Sequence, residues 1–121
     1  KSADYKVADG SGLSLYNYVS AELLTRVLRY AYRKPSVYKY FAPSLPMAGN
    51  DGTLEKRMRK TVAAGNVRAK TGTLTGIISL AGYCTAANGH PLAFTIINQG
   101  VLKGKDARDF QDKVCEVLCK E

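Results

Sequence analysis

Histidine and cysteine are scarce in this chain: His90 is the only one of the former, and Cys84, Cys115 and Cys119 are the only three of the latter, in 121 residues. The cysteines match no zinc-ligand spacing and His90 falls in a turn, so no metal site is expected. Cys115 and Cys119 stand four apart on a predicted helix, where side-chain directions disfavour a bridge between them. Either Cys84 pairs with one of them in an exported protein, or all three are buried free thiols. Long apolar runs are lacking too, since no stretch reaches 18 residues, and no transmembrane segment is expected. A signal-peptide pattern and an initiator methionine are both absent, so the start at Lys1 reads as that of a processed or excised piece. The length suits one domain and is too short for two.

What is present is ordinary for a globular protein: 45% apolar and 23% charged residues. The net charge of +8 raises the question of nucleic acid. Apart from "KRMRK", Lys56 to Lys60, the basic residues are scattered, and no aromatic interleaves with that run as a base-stacking surface requires. A solvated basic face is the reading adopted, with no nucleic-acid partner; such a face also suits a carboxylate-rich polymer.

Periodicity sets out the elements. After a turn at "DGSG", Asp9 to Gly12, the segment "VSAELLTRVLRYAYRKP" predicts a helix with Ser20 as N-cap and Glu22 at the positive end of its dipole. Leu24, Val27, Leu28 and Ala31 are expected as its buried stripe, with Pro35 as its stop. Ser36 to Asp51, with Pro43, Pro46, Gly49 and Asn50, reads as a surface loop. A short helix is expected after Thr53 with Leu54 and Met58 inward, ended by "AAGN". Strands are predicted at Val67–Leu74, Ile77–Thr85 and Leu92–Asn98, linked by Thr75-Gly76 and by the hairpin signal Asn88-Gly89. Gly82 within the second suggests close approach by a helix or a bulge. A last helix, about Lys105 to Lys120, carries Ala107, Phe110, Val114, Val117 and Leu118 as its apolar stripe. The predicted fold is α/β, layered in the α+β manner: an antiparallel three-strand meander flanked by helices.

The chemistry centres on "VRAKTGTLTG", Val67 to Gly76. Strand alternation sends Thr71, Thr73 and Thr75 toward one side and Lys70 and Gly72 toward the other. Gly72 leaves room for a ligand or another backbone, and a peptide could add as a strand if this is a sheet edge. Lysine and threonine hydroxyls would then meet a substrate carboxylate.

Read with "DGSGLSLYNYVS" (Asp9 to Ser20), "LPMAGNDGTLEKR" (Leu45 to Arg57) and "AKTGTLTGIISLAGY" (Ala69 to Tyr83), this segment resembles the low-molecular-mass class C penicillin-binding proteins. These are D-alanyl-D-alanine carboxypeptidases and endopeptidases marked by Ser-x-x-Lys, Ser-x-Asn and Lys-Thr-Gly in that order. The resemblance implies a C-terminal portion, residues 1–121, of a penicillin-binding, serine β-lactamase-like transpeptidase domain. It implies peptidoglycan stem peptides as substrate, β-lactams as inhibitors, no metal or organic cofactor, and a periplasmic or cell-envelope location. In the family a serine forms an acyl-enzyme that water releases. By analogy Ser14 relays a proton to the leaving amine and Asn17 hydrogen-bonds the substrate peptide. Lys70 supplies positive potential, and Thr71, Thr73 and Thr75 bind the terminal carboxylate around Gly72. The N–H of Thr73 forms half of an oxyanion hole. One departure concerns Asn17: two residues, Leu15 and Tyr16, separate it from Ser14, where the family has one.

The attacking serine is the missing group. "SVYK", Ser36 to Lys39, fits Ser-x-x-Lys but follows Ser14, which breaks the family order. The nucleophile is therefore expected on the remainder of a longer polypeptide, and this segment alone is expected to be inactive. A non-catalytic module that keeps the fold to hold cell-wall peptides or a protein partner is the alternative.

Overall fold

The computed structural model describes residues 20–121. Helix α1 (Ala21–Tyr32) and helix α2 (Pro35–Ser44) precede strands β1 (Arg68–Leu74), β2 (Ile77–Thr85) and β3 (Pro91–Gln99), and helix α3 (Gly104–Lys120) ends the chain. The strands form one antiparallel meander, order β1-β2-β3, with Lys70 opposite Ala81 and Gly82 opposite Phe94. The fold class is therefore the one the patterning predicts.

The two faces of the sheet carry different layers. Ala69, Leu80, Cys84 and Phe94 join Cys115 and Cys119 of α3 in the main core, with Leu54, Met58, Ala63 and Val67 alongside. On the opposite face Tyr83 packs with Leu28 of α1 and with Leu45, Tyr38 and Phe41. Its buried hydroxyl donates to the Leu28 carbonyl at 2.6 Å. Ser20 caps α1 as expected, accepting from the Leu23 N–H at 3.1 Å. Thr25 ties the helix to β3 through Thr95, 2.9 Å away.

Several expectations need correction. The first half of the segment expected as a loop is helix α2. Pro35 both stops α1 and opens α2, because a first helical position leaves its N–H unbonded anyway. Pro43 sits one residue from the end, where the interrupted hydrogen bond matters least. Tyr38, Phe41, Ala42 and Leu45 form an inward stripe at helical spacing that the prolines obscure in the sequence. The short helix after Thr53 is one 3-10 turn, Gly52–Leu54; Met58 and Lys60, both at φ 61°, then hold the backbone in the left-handed region, which no helix continues. Leu54 and Met58 are nonetheless inward.

Val27 is 53% exposed rather than buried, because α1 meets the sheet along Leu28 and Ala31 and Val27 lies about 100° around the helix from Leu28. Likewise Phe110 and Val117 of α3 face outward at 54% and 58%. The buried line of α3 is Ala107, Gln111, Cys115 and Cys119, four residues apart, with a glutamine at its centre. Gly82 marks no bulge: the register is unbroken, and the first atoms that a Cβ there would run into are the Arg68 carbonyl and the Ala69 backbone of β1. All three cysteines are buried and free.

Candidate functional site

The edge strand β1 carries the candidate residues, and its outer rim is divided. At the start of the strand, the chain at Pro46–Ala48 lies alongside: the Ala69 N–H donates to the Pro46 carbonyl and the Ala48 N–H to the Val67 carbonyl, both at 2.9 Å. Backbone groups alternate in direction along a strand, so Thr71 and Thr73 present their N–H and C=O to the same rim as Ala69. Among the described residues, no backbone bond of that rim reaches Thr71 or Thr73. The open rungs thus begin where the Lys-Thr-Gly segment does.

Side-chain placement follows the pairing with β2. Arg68, Lys70 and Gly72 share the face of Tyr83, Ala81 and Ser79, while Thr71 and Thr73 share that of Leu80 and Ile78. This is the expected alternation. Lys70 is exposed, and its ammonium donates to the Thr71 carbonyl on the open rim. Among the described residues no carboxylate pairs with Lys70. Thr75 lies beyond the strand, in the turn whose Gly76 takes φ 73°, and is exposed there. Its side is set by that turn rather than by strand alternation. Ser14 and Asn17 lie outside the described residues.

Two neighbours escaped sequence reasoning. Thr53, on the 3-10 turn, accepts a hydrogen bond from the Thr71 hydroxyl at 3.2 Å and so aims that side chain. Its only sequence signal is the Asp51-Gly52 turn that brings the chain back beside β1. Ser79, opposite Gly72, fills the space that a Cβ at position 72 would need, with its Oγ 2.5 Å from that point. A side chain at position 72 would therefore have to displace the Ser79 hydroxyl.

Arg57 holds the loop that carries Thr53. It donates to Asp112 of α3 through Nε at 2.9 Å and Nη2 at 2.6 Å, and to Gln111 at 3.1 Å. An ion pair this shielded, with exposures of 12% and 25%, is a firm anchor in a way that the exposed Glu22–Arg26 pair is not. "SVYK" lies on α2 with Ser36 and Lys39 exposed, and Lys39 sits over the Tyr40 ring, 5.0 Å from its centre. A cavity of about 760 Å³ opens between α1 and the start of β1; Arg68 lines it, but Lys70 and the threonines do not.

A rim whose backbone donors at Thr71 and Thr73 are open among the described residues, a lysine ammonium and threonine hydroxyls can receive an extended peptide and its carboxylate. They contain no activated nucleophile. The profile described as the D-Ala-D-Ala carboxypeptidase 3 (S13) family matches residues 1–120. A D-alanyl-D-alanine carboxypeptidase of Actinomadura sp. is 45% identical over 97 residues, covering 76% of this chain and 18% of that protein. The D-alanyl-D-alanine carboxypeptidase DacB of Haemophilus influenzae is 37% identical over 100 residues, covering 81% of this chain and 21% of its own length. Penicillin binding protein 4 (dacB) from Haemophilus influenzae, solved with a β-lactam, superposes with a TM-score of 0.86 at 32% identity, over 98% of this chain and 29% of that one. The TLA-1 extended-spectrum β-lactamase shares the fold, with a TM-score of 0.67 at 19% identity over 86% of this chain and 41% of its own. The chain thus spans about a fifth of the length of these curated relatives.

Proposed function

Because this chain belongs to the D-Ala-D-Ala carboxypeptidase 3 (S13) family, we propose that it forms the substrate cradle of a serine D-alanyl-D-alanine carboxypeptidase or endopeptidase. It is the C-terminal portion of the catalytic domain of a longer polypeptide, which works in the periplasm or cell envelope on peptidoglycan stem peptides. The serine of a Ser-x-x-Lys motif elsewhere in that polypeptide attacks the penultimate D-alanine carbonyl. The C–N bond breaks, the terminal residue leaves as an amine with a proton relayed through Ser14, and water then cleaves the acyl-enzyme ester. Asn17 hydrogen-bonds the bound peptide.

The open rim of β1 beside Lys70 is the observation that carries this reading. A peptide added there meets the N–H groups of Thr71 and Thr73, and the Thr73 N–H serves the developing oxyanion. Lys70 supplies positive potential for the terminal carboxylate, which the hydroxyls of Thr71, Thr73 and Thr75 bind, and the bare Gly72 lets the peptide approach. β-Lactams, which present an acyl group and a carboxylate in the same relation, inhibit by occupying the cradle and acylating the serine.

The test is covalent labelling with a fluorescent penicillin. The full-length protein is expected to take up one equivalent and residues 1–121 alone none. Adduct on the isolated chain overturns the assignment of the nucleophile to the remainder. Peptide binding by the full-length protein with no acylation supports a non-catalytic peptide-holding module instead.

A further inference from the structure

The cavity between α1, α2 and the base of the sheet has a composition that the candidate site does not use. Arg29 and Arg33, one turn apart on the end of α1, and Arg68 on β1 all line it, and among the described residues no aspartate or glutamate does. Among the described residues, none of the three guanidinium groups is in an ion pair. Arg68 makes one long bond to the Leu45 carbonyl, 3.4 Å.

The negative end of the α1 dipole accounts for Arg29 in its last turn and Arg33 at its C-cap. It does not account for Arg68, which a different element brings to the same hollow. Aromatic walls raise the stakes. Tyr32 and Tyr38 meet edge to face with ring centres 5.0 Å apart, and Tyr38 meets Tyr83 in the same way at 5.2 Å. Burial pushes the phenols of Tyr38 and Tyr83 up, the latter to about 12, so these rings contribute no negative charge near neutral pH. Asn66 stiffens the rim, its side-chain amide both donating to and accepting from the Thr85 backbone at 2.8 Å.

Three like charges over low-dielectric walls repel one another and focus a positive potential into the hollow. A guanidinium fork pairs best with a planar or tetrahedral oxyanion, and about 760 Å³ is the size of a small-molecule site. We propose that this cavity is a second binding site, separate from the β1 rim, for a ligand bearing two or more carboxylate or phosphate groups. Arg68 and Lys70 share a sheet face two residues apart, about 7 Å along the strand. Occupancy therefore leaves the open rungs at Thr71 and Thr73 free.

Isothermal titration of the full-length protein tests this with two probes, citrate for the carboxylate source and inorganic pyrophosphate for the phosphate source. Saturable binding of at least one probe is expected, weakening as salt rises, and the tighter probe identifies the source. Arg68→Gln should weaken binding roughly tenfold or more, as loss of a charge-assisted hydrogen bond does. Arg29→Gln/Arg33→Gln/Arg68→Gln should abolish it, with circular dichroism verifying that the variant is folded. Lys70→Ala should weaken it far less than Arg68→Gln does, since Lys70 does not line the cavity. No saturable binding of either probe, binding indifferent to the arginine changes, or loss in Lys70→Ala equal to that in Arg68→Gln overturns the proposal.

Discussion

Gln111, fully buried on α3, donates its side-chain amide to the Asn98 side chain of β3 at 3.1 Å while its oxygen accepts from Arg57. One side chain therefore joins the last helix, the far strand and the loop that carries Thr53. Gln111→Ala strands the Asn98 oxygen and opens a void, while Arg57 Nη2 keeps Asp112 and the Arg108 carbonyl. It should destabilise the domain by about 2–4 kcal/mol, the sum of an unsatisfied polar group and a small cavity. Urea denaturation followed by circular dichroism measures it; a loss below half a kilocalorie would mean that the three elements are held independently.

Gly72 and Gly82 should respond differently to the same added methyl group. At position 72 the new Cβ meets only the movable Ser79 hydroxyl, so Gly72→Ala costs about 1 kcal/mol and Gly72→Ala/Ser79→Ala recovers most of it. At position 82 it meets the β1 backbone, which cannot rotate away, and Gly82→Ala should cost about 3 kcal/mol or more. Comparison of the three melting temperatures decides the matter. Equal losses for the two single variants would contradict the close β1–β2 approach at Gly82.

The extent to which these features were legible in the sequence varied with the kind of signal. Strand positions, both turns and the ends of α1 and α3 came through because alternation, caps and glycine turns are local. The inward glutamine did not, since burying it depends on partners 13 and 54 residues away. Helix α2 was hidden behind Pro35, at a first helical position that tolerates proline, and Pro43, which interrupts only the last turn. Lys70 was readable from the Lys-Thr-Gly spacing, but the half-closed rim beside it required the fold of Pro46–Ala48. The sequence marks Thr53 only as the residue ahead of an expected short helix, and its contact with Thr71 is purely tertiary.

The thiols report on pH. Burial raises Cys84 and Cys115 from 9.0 to about 12, with neighbouring thiols adding to the effect. The folded form holds these protons more tightly than the unfolded chain, so their contribution to stability is complete below about pH 9 and declines as pH climbs toward 12. Ellman's reagent at pH 8 should find no reactive thiol among the three until denaturant is added. Prompt reaction of Cys115 in the native protein would contradict this burial. Alkaline denaturation should set in earlier for the wild-type protein than for a Cys84→Ala/Cys115→Ala variant, each measured against its own stability at pH 7.

Lys70 and Thr53 separate charge from aim. In the full-length protein, Lys70→Ala should slow penicillin acylation about a hundredfold or more, comparable to loss of an electrostatic group at an acyl-transfer centre, with the melting temperature unchanged. Thr53→Val leaves the charge in place and frees the Thr71 hydroxyl. It should slow acylation by only a few-fold, since the hydroxyl remains and loses just its orientation. Stopped-flow labelling gives both rates. Unchanged kinetics in Lys70→Ala would remove that side chain from the site.

The chain at Pro46–Ala48 stands across the edge of β1 like a doorstop. A strand arriving antiparallel to β1 can advance only until its leading, C-terminal end abuts that segment, so its register is dictated by where it terminates. Shortening the stop would let the guest slip inward by one pleat and carry its last carboxylate past Thr71.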